Sequence, residues 1–247
     1  MVEHLAALGG ARIAALVAAT LLAGLIRGFT GFGSALVMAP AFALVVPPRE
    51  AVVLITLLNL ATMTQLLAPA LKKADWPLVA PMSAAAVLTI PLGTWLLVAV
   101  DGDMVRRAIA IVVVAFALVL LAGGQIRIAP RLPATLAAGA VSGVLTGIGG
   151  IGGPPVVLYL LSRPSEAAHY RASFISYFAV IQVFGILPLL YAGLVEIGHL
   201  GVALALLPAY FAATWAGARL FEKAPDALYR RLAILTLLAV AIAALLA

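Results

Sequence analysis

Long aliphatic runs, joined only by short links, constrain this chain more than any other feature. They extend from about Ala11 to Val46, Ala51 to Leu67, Trp76 to Val100 and Val105 to Leu121, then Leu132 to Leu161, Ala167 to Leu190, Leu200 to Leu220 and Leu228 to Ala247. A helix rises about 1.5 Å per residue, so roughly 20 apolar residues cross about 30 Å of hydrocarbon. Several runs reach that length, and no soluble domain fits between them. With 65% hydrophobic and 10% charged residues, the chain has too little polar surface to clothe a water-soluble globule. The expected fold is an all-α polytopic integral membrane protein.

The first run of each series is interrupted by glycine. Thr30-Gly31-Phe32-Gly33 and Thr146-Gly147-Ile148-Gly149 lie 116 residues apart, and the same step carries Pro48, Glu50 and Ala51 onto Pro164, Glu166 and Ala167. Thr94-Trp95 returns as Thr214-Trp215 at a step of 120, and Arg106-Arg107 as Arg230-Arg231 at a step of 124. The pattern predicts two homologous halves, residues 1–124 and 125–247, each a glycine-broken helix or helical hairpin followed by three spans, 8 to 10 helical segments in all. A helix of about 36 residues would extend roughly 54 Å, well over one membrane thickness. The chain therefore either turns at the glycines and returns, or crosses once and runs on along the interface. A returning hairpin inverts the second half relative to the first, whereas a single crossing leaves the halves parallel. Basic residues favour cytoplasmic loops but separate the two arrangements weakly; Asp101 and Asp103 in a near-neutral external loop favour inversion.

Several function classes fall away. The net charge of +6 comes from Lys and Arg placed mainly between the runs, where they orient the protein and meet lipid headgroups, so no nucleic acid partner is expected. There is no cysteine, which excludes disulfides, thiolate metal sites and cysteine catalysis. His4, His169 and His199 lack metal-ligand spacing, and neither a Ser-His-Asp nor a paired-carboxylate constellation is visible. No catalytic residue, metal or cofactor is expected. The start, Met1-Val2-Glu3-His4, puts no basic cluster ahead of the first run, so no cleaved signal peptide is expected. No β-strand context or ribose-binding acid supports reading the second glycine cluster as a nucleotide site.

Glycine tolerates positive φ and close backbone approach, while proline removes a donor. Uncoiled backbone in hydrocarbon survives only where protein buries it or where it lines a wet cavity. Gly147, Gly149, Gly150, Gly152 and Gly153 run into Pro154-Pro155, and a helix restarting at Pro155 would aim unpaired N–H groups and its positive dipole end into the break. Thr30, Gly31, Gly33 and Ser34, with Gly28 and Pro40 nearby, repeat that arrangement more sparsely. Two facing breaks would form one anion cradle. Taken singly, each glycine reads instead as a small residue for a tight helix crossing.

Arg27, on the lip of the first break, is the ionisable residue most deeply set in apolar sequence; charge there is costly and usually functional, though the side chain is also placed to snorkel. Arg171, beside His169 and Tyr170 at the start of a span, reads as a basic guard or as a positive-inside anchor. Thr56, Asn59 and Thr62 share one helix face, as do Ser173, Ser176 and Tyr177 with Gln182 in register. Asn59 and Ser176 are the first choices to complete an oxyanion's hydrogen-bond shell. Glu50 and Glu166 read as helix caps. The lack of acidic residues well inside the spans argues against a carboxylate-based cation carrier and for an anion.

Gly28-Phe29-Thr30-Gly31-Phe32-Gly33 with Pro40, then Gly147-Ile148-Gly149-Gly150-Ile151-Gly152-Gly153-Pro154-Pro155 and His169-Tyr170-Arg171-Ala172-Ser173, resemble the sulfite exporter TauE/SafE family over nearly the whole chain. The resemblance implies transport of small organosulfur oxyanions, such as sulfite, sulfonates or sulfoacetate, across the bacterial inner membrane by alternating access. A coupling proton or ion and a homo-oligomer are compatible with it. The rival readings are a carrier of another small inorganic or carboxylate anion, or of metal ions, and a non-transporting membrane scaffold whose glycines only pack helices.

Overall fold

Glycine and proline divide the chain where hydropathy alone would run on. The structure is a computed structural model describing residues 9–121, 131–162 and 166–222. Its helices are α1 (Gly9–Thr30), α2 (Ser34–Ala43), α3 (Pro48–Thr62), α4 (Thr64–Leu71), α5 (Trp76–Ala99), α6 (Gly102–Leu121), α7 (Leu132–Gly149), α8 (Gly153–Leu161), α9 (Ala167–Tyr191) and α10 (Ile197–Glu222). No strand occurs among the described residues. Five of these helices are long and apolar enough to cross a membrane, or six if α3 and α4 together form one span. The all-α polytopic expectation holds. The expected span from Leu228 to Ala247, with Arg230-Arg231, and most of the seam between the halves lie outside the described residues.

Each long broken run resolves into a full-length helix and a half-length one. The 22 residues of α1 extend about 33 Å and the 10 of α2 about 15 Å. The 18 residues of α7 and 9 of α8 repeat that proportion. α2 lies against α1, and α8 against α7. The link Pro47-Pro48-Arg49-Glu50 between the first two runs opens α3 at Pro48, because proline in a first turn presets φ and needs no N–H. Glu50 then lies in the first turn, where its charge suits the helix dipole. Glu166 stands at the N-cap of α9, but its carboxylate reaches His169 Nδ1 at 3.5 Å and makes no capping hydrogen bond.

The helices pair across the chain: α1 packs on α10, and α5 on α7. Both contacts bring backbones together without side chains between them. A Cβ at Gly28 would overlap the Thr214 carbonyl, and one at Gly147 the Ile90 carbonyl. In lipid, where apolar burial drives helix association little, such close approach supplies the packing. Thr94 and Thr214 are buried at these two contacts, while Trp95 and Trp215 stand exposed on the outer apolar surface. The echoed dipeptides thus occupy like places, a buried hydroxyl on the inner face and an indole on the outer. α9 packs against α3, α4, α5, α7 and α8, so it runs beside both breaks.

Candidate functional site

The first break is a turn that only glycine takes without strain. Gly31 and Gly33 have φ of +84° and +87°, a region that costs other residues roughly 1–2 kcal/mol. Gly31 N–H closes the last turn of α1 onto Arg27 O at 2.8 Å. The Thr30 hydroxyl lies 2.8 Å from Ile26 O and 2.7 Å from Phe32 O, and accepts the Phe32 N–H at 3.2 Å. Arg171 covers the carbonyl end of α1, donating from Nε to Phe29 O (3.1 Å) and from Nη2 to Gly28 O (2.6 Å). A cation there satisfies orphan carbonyls and complements the negative end of the helix dipole. The chain then restarts at Ser34, and the N–H groups of Ser34, Ala35 and Leu36 belong to a first turn without intrahelical acceptors.

Arg27 is the only charged side chain buried among the described residues, at 7% exposure. Its guanidinium donates to Asn59 Oδ1, to the Asn59 carbonyl (3.2 Å) and to the Tyr210 hydroxyl (3.3 Å). Asn59 Oδ1 also accepts from the hydroxyls of Ser34 (2.9 Å) and Tyr210 (2.6 Å). With donors converging on its oxygen, the amide cannot be turned over without setting NH2 against guanidinium. Among the described residues no carboxylate pairs with Arg27.

The same contact accounts for a bend that the sequence reading did not anticipate, where one span from Ala51 to Leu67 was expected. In a straight helix the Asn59 carbonyl would accept from Met63 N–H; here it accepts Arg27, and Met63 N–H turns to Leu60 O at 3.4 Å. α3 and α4 meet at this point with a bend of 56°. A side chain entering the hydrogen-bond ladder is a recognised cause of a kink. Thr56 and Thr62, on the Asn59 face, direct their hydroxyls back to Val52 O (2.8 Å) and Leu58 O (2.9 Å) of their own helix.

The second break has a different chemistry. Gly150, at φ +69°, ends α7 with its N–H on Thr146 O at 2.8 Å, and Ile151 N–H reaches Leu145 O at 3.2 Å. This is a left-handed C-cap. The Ser142 hydroxyl donates to Gly152 O and accepts from the Tyr177 hydroxyl at 2.7 Å, which latches the turn from α7 to α9. α8 restarts at Gly153, not at Pro155 as expected, so Pro154 and Pro155 occupy its first turn. Neither has an N–H. The denser glycine cluster therefore ends in the poorer donor set.

The two breaks meet at a narrow pocket that is partly open to its surroundings. It brings together Arg27, Gly31, Gly33, Ser34, Asn59, Gly150 and Gly153 from the sequence-derived set. Phe32, Ala35, Leu36, Ile151, Phe178, Ile181 and Gln182 complete the wall. The other expected residues support it from behind. Thr30 holds the first turn and Arg171 caps α1. Gly147 packs on α5, Gly149 on Ile109 and Gly152 on Thr146 and Ser142, each too close for a side chain. Pro154 is buried in the first turn of α8. Ser176 is buried with an unpartnered hydroxyl and does not line the pocket. Tyr210 escaped the sequence reading; its only signal is a phenol in the middle of an apolar run.

No curated protein matched the chain, and no solved structure matched it. A family model described as sulfite exporter TauE/SafE matches residues 16–244. On that match, with its all-helical apolar architecture, the chain belongs to the sulfite exporter TauE/SafE family, a family of multi-pass membrane anion transporters and not of enzymes.

Proposed function

We propose that this protein is a secondary carrier of small organosulfur oxyanions, of sulfite, sulfonate or sulfoacetate type, held in the pocket where the two breaks meet. The buried Arg27, which has no carboxylate partner among the described residues, carries this reading. A guanidinium answered only by neutral oxygens keeps its charge for a ligand, because burying an uncompensated ion is costly. The charged oxygens of a sulfite or sulfonate head accept several hydrogen bonds. Arg27, the Ser34 hydroxyl and the first-turn N–H groups of α2 offer a matching donor set beside the positive end of a helix dipole. The carrier would work in the bacterial inner membrane, its halves 1–124 and 125–247 rocking as inverted repeats about the bound anion.

Proteoliposomes containing the protein test this directly. They should move labelled sulfite or sulfoacetate down an imposed gradient, with unlabelled sulfite and sulfoacetate competing better than sulfate or lactate. If no sulfur oxyanion moves, the proposal is wrong. Gly153→Ala separates a site from mere packing, since a Cβ there would stand an ordinary 3.7 Å from Phe178 Cζ. This variant should fold normally and transport more slowly. Unchanged transport would place the substrate elsewhere.

A further inference from the structure

The side of the pocket formed by α9 holds a polar group that the anion head does not need. Gln182 is 94% buried by its 6% exposure and lines the pocket, yet its carboxamide makes no hydrogen bond to any described residue. Its amide atoms are not among the enclosed unpartnered polar atoms, so they are open to whatever occupies the pocket. Asn59, the other carboxamide of the pocket, differs: its oxygen is saturated by Arg27, Ser34 and Tyr210. The pocket that Gln182 lines also presents apolar side chains, Phe178 and Ile181 from the same helix and Phe32 and Ile151 from the two breaks.

The two atoms of the Gln182 amide ask for different things. Nε2 donates, and any anionic oxygen can satisfy it. Oε1 only accepts, so it needs a donor, which a fully ionised oxyanion lacks. Resting on the reading of this pocket as the substrate site, we infer that Gln182 determines specificity by hydrogen-bonding a hydroxyl or amino group carried on a short carbon stem of the anion. The charged head then lies with Arg27 and the first turn of α2, the stem packs on Phe32, Phe178 and Ile151, and the Oε1 of Gln182 accepts from the substrate's own donor. Such a bond favours an anion that carries the donor over one of equal size that lacks it, while sulfite and sulfoacetate are held by the contacts to the charged head alone.

The test uses two sulfonates of nearly equal size, ethanesulfonate and 2-hydroxyethanesulfonate, titrated calorimetrically into the purified full chain. The hydroxylated anion should bind about ten-fold more tightly, an expectation scaled from one satisfied buried hydrogen bond. Gln182→Met keeps the length of the side chain and removes both polar atoms. In that variant the ratio of the two affinities should fall to about one, a readout independent of how much protein folds. Equal affinities in the unaltered protein, as when water satisfies the amide, would overturn the inference while leaving the site intact. A preserved ten-fold ratio in Gln182→Met would overturn it as well. Failure of both sulfonates to bind would remove the site and this inference together.

Discussion

The first break is charged and rich in donors, whereas the second is neutral and poor in them, although both use left-handed glycines to stop a helix. The step of 116 residues that superposes the two motifs carries Arg27 onto Gly143. At Gly143, α7 presses so closely on α5 that a Cβ would overlap the Ala86 carbonyl. No side chain fits there, so the second break cannot hold a cation in that place. The first turns diverge in the same sense. Ser34, Ala35 and Leu36 all present N–H groups, while Pro154 and Pro155 have none to present. A backbone device that looks duplicated in sequence can therefore divide into a donor set and a wall.

The largest expected effect lies at the charge. Arg27→Gln should lower anion affinity by on the order of 100-fold or more, as loss of a buried hydrogen-bonded charge does in other complexes, whereas Ser142→Ala at the second break should cost less than about ten-fold. Titration of folded, monodisperse protein with sulfite reads both. Comparable losses at the two positions would erase the contrast between the breaks.

Glycine substitutions sharpen it next. Gly31→Ala places a Cβ 3.0 Å from Arg171 Cγ and 3.1 Å from Arg171 O, in addition to the strain of φ +84°. Gly150→Ala, at φ +69°, meets only Ile55 Cγ2 at 3.4 Å. The first should therefore destabilise by roughly 2–4 kcal/mol, combining conformational strain with overpacking, and the second by about 1–2 kcal/mol from strain alone. Thermal unfolding in detergent compares them, and a larger loss for Gly150→Ala would show that the second break is the tighter one.

The smallest effect belongs to the latch. Tyr177→Phe removes the hydroxyl that bonds Ser142 and should lower stability by about 1 kcal/mol, with anion affinity changed less than about three-fold. A loss of affinity as large as that of Arg27→Gln would make the second break a direct partner of the substrate.

Much of the molecule was legible locally. The spans, the glycine stops and the position of Arg27 at the lip of a break follow from apolar length and from what glycine does to φ. Arg171 was legible as a basic residue near the site, but its work on the Gly28 and Phe29 carbonyls depends on α9 lying beside the end of α1. The second glycine cluster misled in detail, because its density suggested a donor nest. The structure uses Gly147, Gly149 and Gly152 for close packing and spends the first turn of α8 on prolines.

Sequence by itself determined that this chain dissolves in lipid as helices and that it uncoils at two glycine-rich places, since both follow from residue chemistry within a turn or two of chain. Only the tertiary structure decided that Arg27 meets Asn59 and Tyr210, residues 32 and 183 positions away, and that this meeting bends α3 from α4. Hydropathy has a period but no address: it says which residues turn inward without saying which partners they find there. Those partners are chosen by backbones that approach closely at glycine and by polar groups that, away from water, must take whatever donor or acceptor the packing brings within reach.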